Sequence, residues 1–299
     1  MLRLLVIGCG DVARRTLPLL AQRYRIYALV RSLDSSLAAE FAAMQITPIL
    51  GDLDQPASLR RLAGLADLLL HFAPPPEFGN QDPRTKHLIA ALQRGKILPR
   101  RMVYISTSGV YGDCRGAWVR ETRKVAPASS RSQRRIDAEQ QLRRWGKRSG
   151  ICISILRVPG IYAAERLPLA RIRRGDPVLC EEDDVFTNHI HVDDLARCTI
   201  AALRHGQPNR IYHASDDSSS PGLRMAEWYD AIADTFALPR PPRVSRTQAQ
   251  AVLTPMVLSF MGESRRLDNS RLKTELRVRL SYPDVHAGLA NTVALKEKP

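Results

Sequence analysis

Residues 4–13 read Leu4-Leu5-Val6-Ile7-Gly8-Cys9-Gly10-Asp11-Val12-Ala13, an apolar run that stops at a glycine turn and opens into a helical pattern. The run Leu2–Ile7 predicts a strand, and its unbroken apolar character predicts one buried on both faces. The turn fits the pattern G-x-G-x-x-A. Gly8 permits a tight turn, Gly10 lets the backbone come close to a pyrophosphate, and Ala13 lets the helix pack against the strand. Asp11 and Val12 begin that helix, whose first N–H groups face an anion placed before them. Cys9 reads as a small packing residue in the loop. The local reading is a dinucleotide site, and it rests on the strand before the turn and the helix after it.

Outward from this turn, short β-rich runs alternate with helical patterns. Strands are expected at Arg25–Val30, Thr47–Leu50, Asp67–Phe72, Met102–Ser106 and Cys152–Leu156. Helices are expected at Val12–Arg23, Leu37–Met44, Ala57–Leu62, Pro83–Gln93 and Ser130–Lys147. Continuous apolar strands alternating with helices predict a doubly wound parallel α/β sheet, with ligands at the C-terminal ends of its strands. After Arg157 the rhythm breaks. Residues 1–157 are therefore read as a dinucleotide-binding domain, to which 186–215 return. Residues 158–299, mainly 158–185 and 222–299, form a smaller, mostly helical substrate-side lobe. The apolar stretch Val252–Met261 contains Pro255 and reads as an interlobe helix rather than a membrane-surface one.

The end of the second strand decides between the two common dinucleotides. A carboxylate there would bond the ribose 2′-hydroxyl, but the sequence has Val30-Arg31-Ser32. Arg31 can pair a 2′-phosphate, so NADP is expected, with NAD still open.

Further segments carry a family resemblance over nearly the whole chain. Gly51-Asp52-Leu53, His71-Phe72-Ala73-Pro74, the Tyr104–Gly112 segment (Tyr-Ile-Ser-Thr-Ser-Gly-Val-Tyr-Gly), Leu156–Tyr162 and His189–Leu195 occur in order. Together they resemble the extended short-chain dehydrogenases/reductases, the NAD(P)-dependent epimerase/dehydratase group. The resemblance implies that Asp52 and Leu53 contact the adenine, that Phe72, Ala73 and Pro74 pass the phosphates, and that Pro159 helps to position the nicotinamide. It also implies that Thr107 is the catalytic hydroxyl.

The family's Tyr-x-x-x-Lys pair is missing. Counting back from Glu139 sets Arg135 at the Lys position and Arg131 at the Tyr position, and residues 125–145 contain no tyrosine. An arginine, with its pKa above about 12, cannot exchange the proton that the tyrosine would. Arg135 can still bond the nicotinamide ribose, and Arg131 can hold a phosphate or carboxylate or stabilise an oxyanion. The two are four residues apart, and Glu139 is placed to relieve Arg135. The chain is in this respect similar to the atypical, bacterial YeeZ-type branch. Tyr111, Tyr162, Glu121 and His191 are the reserve candidates for acid/base work. His189, His191 and Asp193 do not have the spacing of a zinc site, and no metal is expected; Asp193 or Asp194 reads as a helix cap.

The expected function is an oxidoreductase or epimerase acting on an anionic small molecule. A non-catalytic dinucleotide sensor of the same fold is the rival. The chain has a formal net charge of +15, and residues 91–150 hold 15 Lys/Arg against four acids. Aromatic side chains for base stacking are sparse there, which argues against nucleic acid as the main ligand. Five scattered cysteines without a Cys-x-x-Cys fit a reducing, cytoplasmic setting, and no apolar run approaches the roughly 20 residues of a membrane span. Monomer and homodimer are both open.

Overall fold

The computed structural model describes residues 1–296. Its centre is a seven-stranded sheet: β1 (Arg3–Ile7), β2 (Arg25–Val30), β3 (Thr47–Leu50), β4 (Leu68–His71), β5 (Arg101–Thr107), β6 (Cys152–Val158) and β7 (Arg210–His213). All neighbours are parallel, in the order β7-β6-β5-β4-β1-β2-β3. The order reverses between β1 and β4, which opens a crevice at their C-terminal ends.

The unbroken apolar runs have a simple cause. Leu4 and Val6 of β1 enter one core and Leu5 and Ile7 the other, so every side chain of the strand needs an apolar partner. Four helices belong to this half: α1 (Asp11–Thr16), α2 (Ser35–Ala43), α3 (Pro83–Leu92) and α4 (Ser130–Ser149). Ser129 caps α4 by accepting from the Ser132 N–H, and Gly150, at φ 67°, ends it. Trp145 and Leu142 anchor α4 in the core. The first helix is shorter than the expected Val12–Arg23. It ends at Thr16 and continues as turns, since Pro18 has no N–H to extend the ladder.

The other helices are α5 (Leu169–Arg173), α6 (Val192–His205), α7 (Met225–Thr235), α8 (Arg246–Val252), α9 (Pro255–Phe260), α10 (Ser270–Leu276) and α11 (Val285–Lys296). A separate core of Tyr162, Ile172, Val178, Leu223, Trp228, Ile232 and Leu289 holds the second lobe together. The packing crosses between the two halves in two places. Within 186–215, β7 joins the large sheet, and α6, with Ile190 and Ala214, joins its core. Phe186–Thr187 pairs with Leu223–Arg224, and His189–His191 pairs with Gly160–Tyr162. Within 222–299, Leu272, Leu276 and Val278 pack back into the first half, because α10 lies on α6 and β7.

Candidate functional site

Gly8 is the hinge of the site. Its φ of +87° is left-handed, and a Cβ there would lie 2.6 Å from the Ala73 nitrogen. Only glycine lets the end of β1 approach the segment after β4 this closely. A Cβ on Gly10 would meet nothing within 4 Å, so this backbone faces open space. That space is one cleft of about 1690 Å³, larger than the roughly 300–1,000 Å³ of a single small-ligand pocket. It is lined by Asp52 and Leu53 after β3, Arg31 after β2, Gly8, Gly10, Asp11 and Val12 after β1, Phe72, Ala73 and Pro74 after β4, Thr107 at the end of β5, Arg131 and Arg135 of α4, and Pro159 after β6. The residues expected to hold the cofactor, with Thr107, Arg131 and Arg135, all line this one cleft; the reserve acid/base candidates do not.

Its far wall comes from residues that the sequence reading did not assign to the site, though it had noted His189 and the stretch 252–261 for other reasons. The second lobe supplies Phe186, Asn188, His189, Met225, Tyr229 and Arg171, and then Val257, Phe260, Met261, Glu263 and Arg265. The stretch 252–261 is thus cleft wall, and α9 starts at Pro255, capped by Thr254. A signal for Arg134 lay in α4 itself, one residue before Arg135. It is buried and donates to the Gly79 carbonyl at 2.6 Å, which fixes the loop that carries Phe78 and Glu77.

At the end of β5, the Thr107 hydroxyl accepts from the Gly109 N–H at 3.2 Å. One lone pair is used, and its O–H remains free to donate toward the cleft. Arg135 donates to the Ile105 carbonyl at 2.7 Å and the Tyr104 hydroxyl at 3.0 Å. These two bonds tie the Arg135 side chain to β5. Arg131 has no ion pair or hydrogen bond among the described residues. Its guanidinium lies over the Phe260 ring, 5.0 Å from the centroid. Desolvation in the cleft lowers its pKa, Glu263 opposes this, and Arg135 and Arg134 add to it.

Glu139 does not relieve Arg135. It is buried and bound to Arg157, at 3.1 and 2.7 Å, and to the Ser106 hydroxyl at 2.6 Å. Burial alone would lower the Arg157 pKa, but the bonds and charge of Glu139 raise it instead. Arg157 also donates to the Tyr111 hydroxyl at 2.8 Å, and Tyr111 lies 2.6 Å from His213 Nε2. His213 Nδ1 lies 2.9 Å from the Asp268 carbonyl, an acceptor only, so Nδ1 carries the proton and Nε2 accepts from Tyr111. Burial pushes the His213 pKa down to about 3 and the Tyr111 pKa up to about 12.

This network corrects the reserve candidates, none of which lines the cleft. Tyr111 serves the network. Glu121 is buried beside the His213 N–H and Arg271. The Tyr162 hydroxyl donates to the Asp284 carbonyl. His191, not Asp193 or Asp194, caps α6, while Asp194 accepts from the Ser281 and Tyr282 N–H groups. His189 does face the cleft. Burial lowers its pKa to about 3, its Nε2 lies 3.1 Å from the Thr187 hydroxyl, and its ring lies against Trp228. Among the described residues no group of three or more His, Cys, Asp or Glu could hold a metal ion. The five cysteines are unpaired, and burial raises the Cys9 thiol to about 12. No described helix is long and apolar enough to cross a membrane.

The family model described as NAD(P)H-binding matches residues 8–206. The chain belongs to that family. Over its whole length this NAD(P)H-binding protein is similar to a conserved protein of unknown function from Silicibacter pomeroyi, at 30% identity, 100% coverage of both chains and a TM-score of 0.81. It has the fold of UDP-glucuronic acid 4-epimerase from Bacillus cereus, solved with UDP-glucuronic acid and NAD, at 19% identity, 99% coverage of each chain and a TM-score of 0.75. It is similarly related to UDP-glucose 4-epimerase from Thermotoga maritima, solved with UDP-glucose, at 16% identity, 99% of each chain and a TM-score of 0.77. A comparison with curated proteins finds no match. The fold is that of the extended short-chain dehydrogenases/reductases, and the cofactor is a nicotinamide dinucleotide.

Proposed function

We propose that this NAD(P)H-binding protein is an NADP-preferring oxidoreductase of the epimerase/dehydratase type, acting on an anionic small molecule. One observation carries the reading. Eight arginines line the cleft: Arg31, Arg84, Arg131, Arg134, Arg135, Arg166, Arg171 and Arg265. Six of them already donate to a carboxylate, a phenol or a main-chain carbonyl. Arg31 and Arg131 alone have no such acceptor among the described residues, and they stand at opposite ends of the cleft. Two guanidiniums without acceptors call for two anions. At Arg31 the anion is the adenosine 2′-phosphate. At Arg131 it is a carboxylate or phosphate of the substrate.

Gly8, Gly10, Asp11 and Val12 would hold the pyrophosphate, Asp52 and Leu53 the adenine side, Phe72, Ala73 and Pro74 the middle of the cofactor, and Pro159 and Arg135 the nicotinamide end. The cofactor would supply hydride exchange. Thr107 donates its O–H to the reacting substrate oxygen, and Arg131 stabilises negative charge that develops there. Tyr229, the one tyrosine lining the cleft among the described residues, is not a free acid: burial raises its pKa, and its hydroxyl accepts from Arg171 at 2.6 Å.

Calorimetric titration with NADPH and NADH tests the cofactor assignment. Both should bind, NADPH more tightly, and Arg31→Ala should remove the difference. No binding of either at millimolar concentration ends the proposal. Equal affinity in the unaltered chain ends the 2′-phosphate role of Arg31.

A further inference from the structure

The strongly positive segment noted in the sequence is not mainly a feature of the cleft. Much of it lies at the opposite end of the sheet, where the strands begin and α3, α4 and α6 end. Four chain segments meet there. A Cβ on Gly95 would lie 2.1 Å from the Gly64 nitrogen, so residues 61–67 and 94–101 touch. The Arg100 N–H donates to the Asp67 carbonyl at 2.7 Å, and the Cys152 N–H donates to the Arg100 carbonyl at 3.0 Å. Arg101 donates to the Gly206 carbonyl at 2.9 Å, which brings in the end of α6.

On these four segments, Arg61, Arg94, Lys96, Arg100, Lys147, Arg148 and Arg204 are all exposed. None of the seven makes an ion pair or a side-chain hydrogen bond among the described residues. The carboxylate available within 60–67, 93–101, 145–152 and 203–209 is Asp67, and Arg3 occupies it at 3.1 Å. Helix dipoles account for part of this charge, since Lys147, Arg148 and Arg204 lie in last turns. They do not account for Arg61, Arg94, Lys96 or Arg100, which lie in the three-ten turn after β3 or in the loop between α3 and β5.

We propose that this end of the sheet binds the phosphate backbone of a nucleic acid double helix. Seven like charges without internal partners repel one another, and a polyanion relieves that repulsion by releasing its own counterions. The choice of a double helix follows from what the surface lacks and how it is mounted. Trp145, the one Phe, Tyr or Trp on these four segments, is fully buried, so they offer no such ring to unstacked bases. Ile97 is the large apolar side chain exposed within 93–101, too little for insertion into a bilayer. The cations are fixed on the ends of helices and strands, which suits a partner whose phosphates are also fixed in space. The contact carries no base reading. It is separate from the cofactor cleft and does not rest on the reaction assigned to it.

The test uses the full chain and a labelled 30-base-pair duplex, with binding followed by anisotropy from 50 to 200 mM KCl. Seven phosphate contacts predict a log–log slope near −6 and an affinity loss on the order of a thousandfold over that range. The triple variant Arg94→Glu, Arg100→Glu, Arg148→Glu should lower affinity by more than about a hundredfold, since each lost contact adds to the slope and each reversed charge repels. NADPH affinity should be unchanged in this variant, which shows that it is folded. No duplex binding at 50 mM KCl, a slope flatter than about −2, or equal binding by the variant would overturn the proposal. Tighter binding to a single strand, or to phosphatidylserine vesicles, would overturn it in favour of those partners.

Discussion

At the C-terminal end of the sheet, six of the eight arginines lining the cleft are held by an acceptor from the protein itself. At the N-terminal end, seven exposed cations on four adjoining segments have none among the described residues, although Arg101 beside them is held by the Gly206 carbonyl. The same side chain therefore does two kinds of work in one molecule. A partnered arginine is a fixed piece of architecture: Arg157 ties α4 to β6, Arg134 ties a loop to α4, and Arg135 ties α4 to β5. An unpartnered one is a binding group or a solvated charge. What separates them is the acceptor within reach, and that is decided by tertiary packing.

The largest effect should come from the most thoroughly partnered arginine. Arg157 and Glu139 each have about 4% of their side-chain surface exposed. Arg157→Ala leaves Glu139 charged in the core and should cost about 3–5 kcal/mol in urea unfolding. Arg94→Ala, at the other end of the sheet, should change stability by less than about 0.5 kcal/mol. Similar losses for the two variants would break the comparison.

The next effect is a pH dependence in the same network. His213 is held neutral, its pKa pushed down to about 3, first by burial. In the unfolded chain it titrates near 6.5. Below that value the unfolded state takes up a proton that the folded state refuses, so stability is full above about pH 6.5 and falls as the pH drops. At pH 5 this amounts to about 2 kcal/mol for the one residue. His213→Gln should therefore show a drop between pH 7 and 5 that is smaller than that of the unaltered chain by about this amount. Parallel pH profiles would remove His213 from the account.

The sequence carried the fold because the central strands β1, β4, β5 and β6 are buried on both faces and the glycine turn follows the first of them. It also located one wall of the cleft, since Gly8, Arg31, Asp52 and Ala73 stand at strand ends that the alternation locates. It did not carry the far wall. Phe260, Glu263 and Arg265 come from a short helix and a loop with no period to read, Tyr229 from the buried face of α7, and only the packing of the second lobe brings them to the cleft. The role of Glu139 was misread for a related reason. Its position one turn beyond Arg135 matters less than the Arg157 guanidinium arriving from β6, which no helical spacing reveals.

Arg31 sharpens the comparison from the cleft side, because it is an unpartnered arginine with an assigned anion. Arg31→Ala should weaken NADPH binding about tenfold, some 1.4 kcal/mol, and leave NADH binding unchanged. An equal loss for both dinucleotides would mean that Arg31 contacts a part that they share.

The smallest effect expected is at Arg131, and its smallness is informative. Without ligand the residue lies over the Phe260 ring, worth about 0.5–1 kcal/mol at an exposed site, and feels the favourable charge of Glu263. Against this stands the like charge of Arg135 one turn away on α4, a cost of about 0.2–0.5 kcal/mol. Arg131→Ala removes all of these, so the melting temperature in the absence of ligand should hardly move. Arg135→Ala is the control. It leaves the Ile105 carbonyl and the Tyr104 hydroxyl without their donor, a loss of about 1–3 kcal/mol that a melt detects readily. NADPH titration then separates their roles, since affinity should fall in Arg135→Ala and persist in Arg131→Ala. If Arg131→Ala melts several degrees lower, the Phe260 contact is a structural tie between the lobes. Arg131 would then join the partnered arginines and cease to be the candidate for the substrate anion.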